Sequence, residues 1–160
     1  MLIGARAALV RGPAGAGKSR FVLALLQAGT QGILPFTRLV CDDRAHVEAV
    51  HGRLLVRPAS ALAGLLEVRG LGLRQLPHEP AAVVGWVVDL AENDAARMPS
   101  AAGTLTLEGV TLPHLAVRPC ADPLLMLVAA IRTNPARQGP RDATLAATQH
   151  SNHSPKVPLQ

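Results

Sequence analysis

The chain has 160 residues, 49% of them apolar, with Phe21, Phe36 and Trp86 as the whole aromatic set, so one domain with a core of Leu, Val and Ala is expected. So few aromatic rings exclude a base-stacking surface for single-stranded nucleic acid. The net charge of +5 comes from fourteen arginines against two lysines, scattered without a basic run, and this argues against any nucleic-acid partner. Arg6 and Arg11 break up the apolar start, and no apolar run approaches a membrane span, so the expectation is no membrane partner and a cytoplasmic location.

Ala7-Ala8-Leu9-Val10 predicts a buried strand, and Phe21, Val22, Leu23, Leu25 and Leu26 predict a helix running to Gly29. Between them lies Gly12-Pro13-Ala14-Gly15-Ala16-Gly17-Lys18-Ser19, which fits the phosphate-binding loop G-x-x-x-x-G-K-[ST]. At this chain's own residue frequencies a chance match has odds of roughly one in a thousand. The order strand, loop, helix is the one the chemistry needs. Backbone N–H groups wrap a polyphosphate, the helix N-terminus adds its dipole, lysine reaches the β and γ phosphates, and the hydroxyl ligates Mg²⁺. Gly12, Gly15 and Gly17 permit close backbone approach and positive φ. All eight residues are therefore assigned to the nucleotide site, with Mg-ATP as the expected ligand.

Gly29 to Pro35 reads as a loop, and Thr37 to Cys41 as a buried strand ending at Asp42-Asp43. His51-Gly52 between Ala45 to Val50 and Arg53 to Arg57 predicts a tight hairpin, and Pro58-Ala59-Ser60 opens a helical turn stopped by Gly64. Leu65 to Arg74, an apolar run broken by charges and glycines, reads as a loop lining a site rather than a strand. Ala81 to Val88 predicts a central strand. Thr104 to Glu108 is expected to pair near Leu115 to Arg118, and Pro123 to Ile131 to form a closing helix. The domain is set at residues 1–132, with a disordered tail over 133–160.

A phosphate loop alone names a ligand and no reaction. Asp42-Asp43 supplies adjacent carboxylates, of which an extended backbone turns only one toward the phosphates: one a base or Mg²⁺ partner, the other support, with a strand-ending Asx turn as the plainer reading. Glu67 and Arg69 would project to one side of an extended stretch, as a metal-side carboxylate and a cation for a transferring phosphoryl group, or simply as a solvated face. Asp89, Glu92 and Asp94 read as a solvated turn. Cys41 and Cys120 lack metal-ligand spacing and read as small core residues.

The phosphate loop, Leu39-Val40-Cys41-Asp42-Asp43 and above all Leu65-Leu66-Glu67-Val68-Arg69-Gly70-Leu71-Gly72-Leu73 resemble the catalytic domain of HPr kinase/phosphorylase, in a short bacterial form without an N-terminal domain. The resemblance implies an α/β fold, a phosphate-loop mixed sheet with flanking helices of the HPr kinase/PEP carboxykinase-like kind. It implies a serine protein kinase that uses ATP and Mg²⁺ on the phosphocarrier HPr, a reverse phosphorylase reaction, and a hexamer. On single positions it implies Lys18 at the phosphates, Ser19 and Glu67 at the metal, and Asp43 as the base, with Arg69 and Arg97 assisting catalysis. Val117-Arg118-Pro119 resembles the region tied to dephosphorylation. The family also places a histidine before the loop, whereas residues 1–11 contain none. A small-metabolite kinase and a nucleotide-binding regulator without turnover stand as the alternative readings.

Overall fold

A computed structural model describes residues 1–92 and 103–133. The Arg97 and Asp94 expectations and all but the first residue of the tail lie outside the described residues. In chain order the elements are β1 (Leu2–Ile3), β2 (Arg6–Arg11), α1 (Lys18–Thr30), β3 (Thr37–Arg38), β4 (Ala45–Val50) and β5 (Arg53–Pro58). There follow a 3₁₀ turn (Ser60–Leu62), β6 (Leu65–Val68), β7 (Gly72–Gln75), β8 (Ala82–Leu90), β9 (Thr104–Leu107), β10 (Val110–Val117) and α2 (Pro123–Arg132).

The apolar run of β8 makes it the centre of a mixed sheet ordered β3-β1-β2-β8-β10-β9, with β5 pairing the start of β8 and carrying β4 outside it. β2 and β10 both run parallel to β8, so the carboxyl ends of three strands share one edge, the usual place for a ligand crevice in an open α/β sheet. Alternation along the strands divides the core between two faces, with a register shift between Ala7 and Ala8 that leaves one extra residue in β8 and so sets Val84 and Val87 on the same side. Ala8 and Val88 point to the face covered by α1 and α2, where they meet Phe21, Val22, Leu25 and Leu127. Ala7, Val84 and Val87 point the other way, to Leu54 and Val56 of the hairpin and Leu112 of β10. Both helices thus lie on one face, and the β4–β5 hairpin closes the other.

Local chemistry accounts for the boundaries. His51 (φ 48°) and Gly52 (φ 72°) both adopt positive φ, as a two-residue hairpin turn with the right twist requires. Asp122 caps α2, its carboxylate accepting from the N–H groups of Leu124 (2.8 Å) and Leu125 (3.3 Å), with Pro123 in the first helical position. Gly29 lies inside α1 because the helix meets β3 there: a Cβ on Gly29 would stand 1.9 Å from Thr37 Oγ1.

Four expectations are corrected. Leu65 to Arg74 is a two-stranded hairpin, β6 with β7, in which Leu71 N–H donates to Val68 O at 2.8 Å across the turn. The strand expected over Thr37 to Cys41 has only two residues in its ladder; Leu39 makes one bridge to His78, and Leu39 and Val40 are buried in irregular backbone. Leu115 to Val117 pairs in parallel with β8, while it is Val110 to Pro113 that meets β9. Cys120 is exposed rather than a core residue, and Cys41 is half-buried.

Candidate functional site

The loop leaves β2 at Arg11, and its glycines set its path. Gly12 (φ 149°), Gly15 (φ 81°) and Gly17 (φ 89°) all have the positive φ that side chains disfavour. At Gly15 and Gly17 the space where a Cβ would stand is open. Gly17 caps α1 without any side-chain bond, and its carbonyl accepts from Phe21 N–H at 2.9 Å, so the first N–H groups of the helix face outward beside the loop. Lys18 folds back over the loop, its Nζ donating to the carbonyl oxygens of Gly12 and Pro13, each at 2.9 Å.

Ser19, on the first turn of α1, donates its hydroxyl to the Asp42 carboxylate, at 3.2 Å to Oδ1 and 3.3 Å to Oδ2. The same carboxylate accepts from Glu67 N–H at 3.1 Å. Asp42 therefore joins the helix start to the β6–β7 hairpin. Asp43 is exposed, and its Oδ1 accepts from the N–H of Arg44, a residue with φ 48°. The adjacent acids are thus divided, with Asp42 the one that reaches Ser19, although they lie in a bend and not in the extended strand that the expectation assumed.

Along β6, Leu66 is buried in the core under the helices while Glu67 is exposed on the opposite side. That parity turns Glu67 into a cleft of about 610 Å³, whose walls include Gly15, Lys18 and Ser19 on one side and Glu67, Val68 and Arg69 on the other. A smaller hollow of about 230 Å³ lies past Gly15, under Leu90, Ala91, Val117, Pro119 and Ala121. Lys18, Ser19, Glu67 and Arg69 are brought together at one cleft; Val117 and Pro119 lie at the other.

Among the described residues no three His, Cys, Asp or Glu side chains converge as a ready-made metal cage. Mg²⁺ rarely uses one: it takes one or two protein oxygens and completes its shell with phosphate and water. The Ser19 hydroxyl and Asp42 carboxylate, 3.2 Å apart, are such a donor pair, with Glu67 on the adjoining strand. The residues present fit the ion.

One carboxylate near the loop escaped the sequence reading. Asp89 is no solvated turn: it lies on β8, its side chain 15% exposed, bonded to Arg11 on one side and His114 on the other. Burial pushes its carboxyl up, but the bonds and charges of Arg11 and His114 outweigh that and hold it below its ordinary value. The same bond raises Arg11. Elsewhere, burial raises the Cys41 thiol.

No protein-family model matches the chain. HPr kinase/phosphorylase of Clostridium tetani (strain Massachusetts / E88) is 36% identical over 69 residues, 43% of this chain and 20% of that protein. HPr kinase/phosphorylase of Clostridium beijerinckii (strain ATCC 51743 / NCIMB 8052) is 38% identical over 65 residues, 41% of this chain and 19% of that protein. In three dimensions the Hpr(Ser) kinase/phosphatase from Coxiella burnetii superposes with a TM-score of 0.64 over 81% of this chain and 83% of that one, at 22% identity. This chain is related to the HPr kinase/phosphorylases. Its fold is the mixed α/β fold of an HPr kinase. The matched part spans about a fifth of the length of the two clostridial relatives. Among the described residues no helix is long and apolar enough to cross a membrane.

Proposed function

We propose that this chain is a serine protein kinase that moves the terminal phosphoryl group of Mg-ATP to a serine of HPr or an HPr-like carrier. One observation carries the reading: the phosphate loop and the Glu67–Arg69 segment meet at a single cleft, joined by Asp42 through its bonds to Ser19 and Glu67, with Asp43 the next residue in the chain, on a chain related to HPr kinases. Phosphoryl transfer asks little covalent chemistry of a protein; it asks for positioning, positive charge and a route for one proton.

The loop N–H groups and Lys18 bind the phosphates, and the hollow of about 230 Å³ beyond Gly15 is proposed for the nucleoside. Ser19, Asp42 and Glu67 hold Mg²⁺, which when bound neutralises charge on the phosphates. Asp42 is the supporting acid, locked to Ser19 and to the hairpin. Asp43, exposed and bonded only to its neighbour's N–H among the described contacts, takes the proton of the acceptor serine as the serine oxygen bonds to the γ phosphorus and ADP departs. Arg69 stabilises charge on the group in transit, and Arg97 is proposed for the same task. In the reverse direction, with inorganic phosphate as acceptor, Asp43 returns the proton.

The test is transfer of labelled γ-phosphate to purified HPr. Wild type is expected to label HPr, and Asp43→Asn and Lys18→Ala to lose about 10² or more in rate, as for other lost charge-stabilising or proton-transfer groups. A folded wild type that binds ATP and labels no HPr rejects the proposal.

A further inference from the structure

A glycine-rich loop holds a phosphate chain only as well as its two ends are fixed. One end is α1; the other is Arg11, the last residue of β2. Register places Arg11 beside Asp89 on the parallel strand β8. The guanidinium grips that carboxylate with two bonds, Nε to Oδ1 at 2.7 Å and a terminal N–H to Oδ2 at 2.5 Å. From the other neighbour, β10, His114 Nε2 meets Asp89 Oδ2 at 2.8 Å. One carboxylate therefore ties three strands near the edge where the loop begins.

The tie reaches the loop by contact as well as along the chain. Leu90 follows Asp89, and its carbonyl oxygen would stand 2.9 Å from a Cβ on Gly12, so loop and strand touch there. Gly12 O in turn accepts from Lys18 Nζ. His114, Asp89, Arg11, Gly12 and Lys18 form one continuous path of bonds and contacts. A two-point guanidinium–carboxylate grip fixes direction as well as distance, and small displacements of a catalytic frame cost rate steeply.

We propose that Asp89, clamped between Arg11 and His114, is a positioning residue for the phosphate loop: it sets the direction in which the chain enters Gly12 and so the seat of Lys18. The inference rests on the reading of Gly12 to Ser19 as a nucleotide-phosphate site.

The experiment titrates the full chain with Mg-ATP by calorimetry, well below its melting temperature, and follows amide hydrogen exchange. Asp89→Asn, which keeps size and removes the charge, is expected to weaken Mg-ATP at least tenfold and to speed exchange over residues 12–19 while leaving α2 unchanged. Glu79→Gln, which removes the charge of a comparable ion pair with Arg38 at the β3 edge, is expected to keep affinity within twofold. A merely stabilising Asp89 would lower the melting temperature and leave the affinity of the folded protein alone. If Asp89→Asn does not fold, Arg11→Lys, which keeps the charge and loses the two-point grip, takes its place with at least a fivefold weakening expected. Wild-type protein that binds no Mg-ATP removes the phosphate-site reading and the inference with it. Wild type that binds, beside a folded variant of equal affinity, overturns the inference alone.

Discussion

Asp42→Asn and Asp43→Asn separate the two neighbouring acids. Asp42 accepts two bonds, from the Ser19 hydroxyl at 3.2 Å and from Glu67 N–H at 3.1 Å, and so joins α1 to the β6–β7 hairpin. An amide keeps one acceptor oxygen but loses the charge that makes such bonds about twice as strong as neutral ones. The expected loss is about 1–2 kcal/mol of stability, or roughly 3–6 °C in melting temperature for a chain of this size. Asp43 accepts one bond from its neighbour and is exposed, so Asp43→Asn should change stability by less than about 0.5 kcal/mol. Phosphoryl transfer to HPr should fall about 10² to 10³ in either variant, but for different reasons. Calorimetry with ATP, with and without Mg²⁺, reads the difference: the gain in affinity that Mg²⁺ brings should shrink in Asp42→Asn and persist in Asp43→Asn. The reverse pattern, with Mg²⁺ dependence lost only in Asp43→Asn, would refute the division of roles.

Two further outcomes test the frame around the site. Gly29→Ala would force a methyl to within 1.9 Å of Thr37 Oγ1, an overpacking cost of about 1–3 kcal/mol that exceeds the gain of about 1 kcal/mol in helix propensity; thermal melts should show net destabilisation, and the double variant with Thr37→Ala should recover most of it. For pH, the Asp89 carboxyl is held below its ordinary 3.8, so its contribution is complete above that value and disappears as pH falls through the lower folded value. The stability gap between wild type and Asp89→Asn in urea melts should therefore hold from pH 7 to about pH 4 and narrow below it; a gap unchanged down to pH 3 would contradict the ion-pair reading.

What the sequence disclosed and what it hid divide along a physical line. The phosphate loop, the turn at His51-Gly52, the apolar run of β8 and the helix opened by Asp122-Pro123 are local patterns, and each is where its residues predict. The β6–β7 hairpin was hidden because Gly70 and Gly72, which turn the chain with positive φ, look like breakers of an apolar run. That run carries the Leu-Leu-Glu-Val-Arg-Gly-Leu-Gly stretch that resembles the family, whereas its hairpin shape has no counterpart in the local pattern. Asp42 and Asp43 do part company, but in a bend and not in the extended strand expected, and which one meets Ser19 depends on how the irregular Leu39-Val40 segment is seated against His78. Asp89 was invisible as a paired group because its partners lie 78 and 25 residues away, brought beside it only by strand order. Two apolar neighbours on β8 and an acidic stretch after it offered no signal of that kind.

The division of the core by the sheet has a consequence for how this molecule tolerates change. Val87 and Val88 are consecutive, yet one serves the hairpin face and the other the helix face, so substitutions around Leu54 and Val56 reach the phosphate loop through Ala7 of β2 and Val87 of β8 and not through the packing under the helices. β4, exposed along nearly all its length, lies one strand further out. β4 is thereby free to drift in sequence, and to acquire new surface properties, while Leu54 and Val56 stay bound to the core and the cradle at the opposite end of β8 keeps its shape.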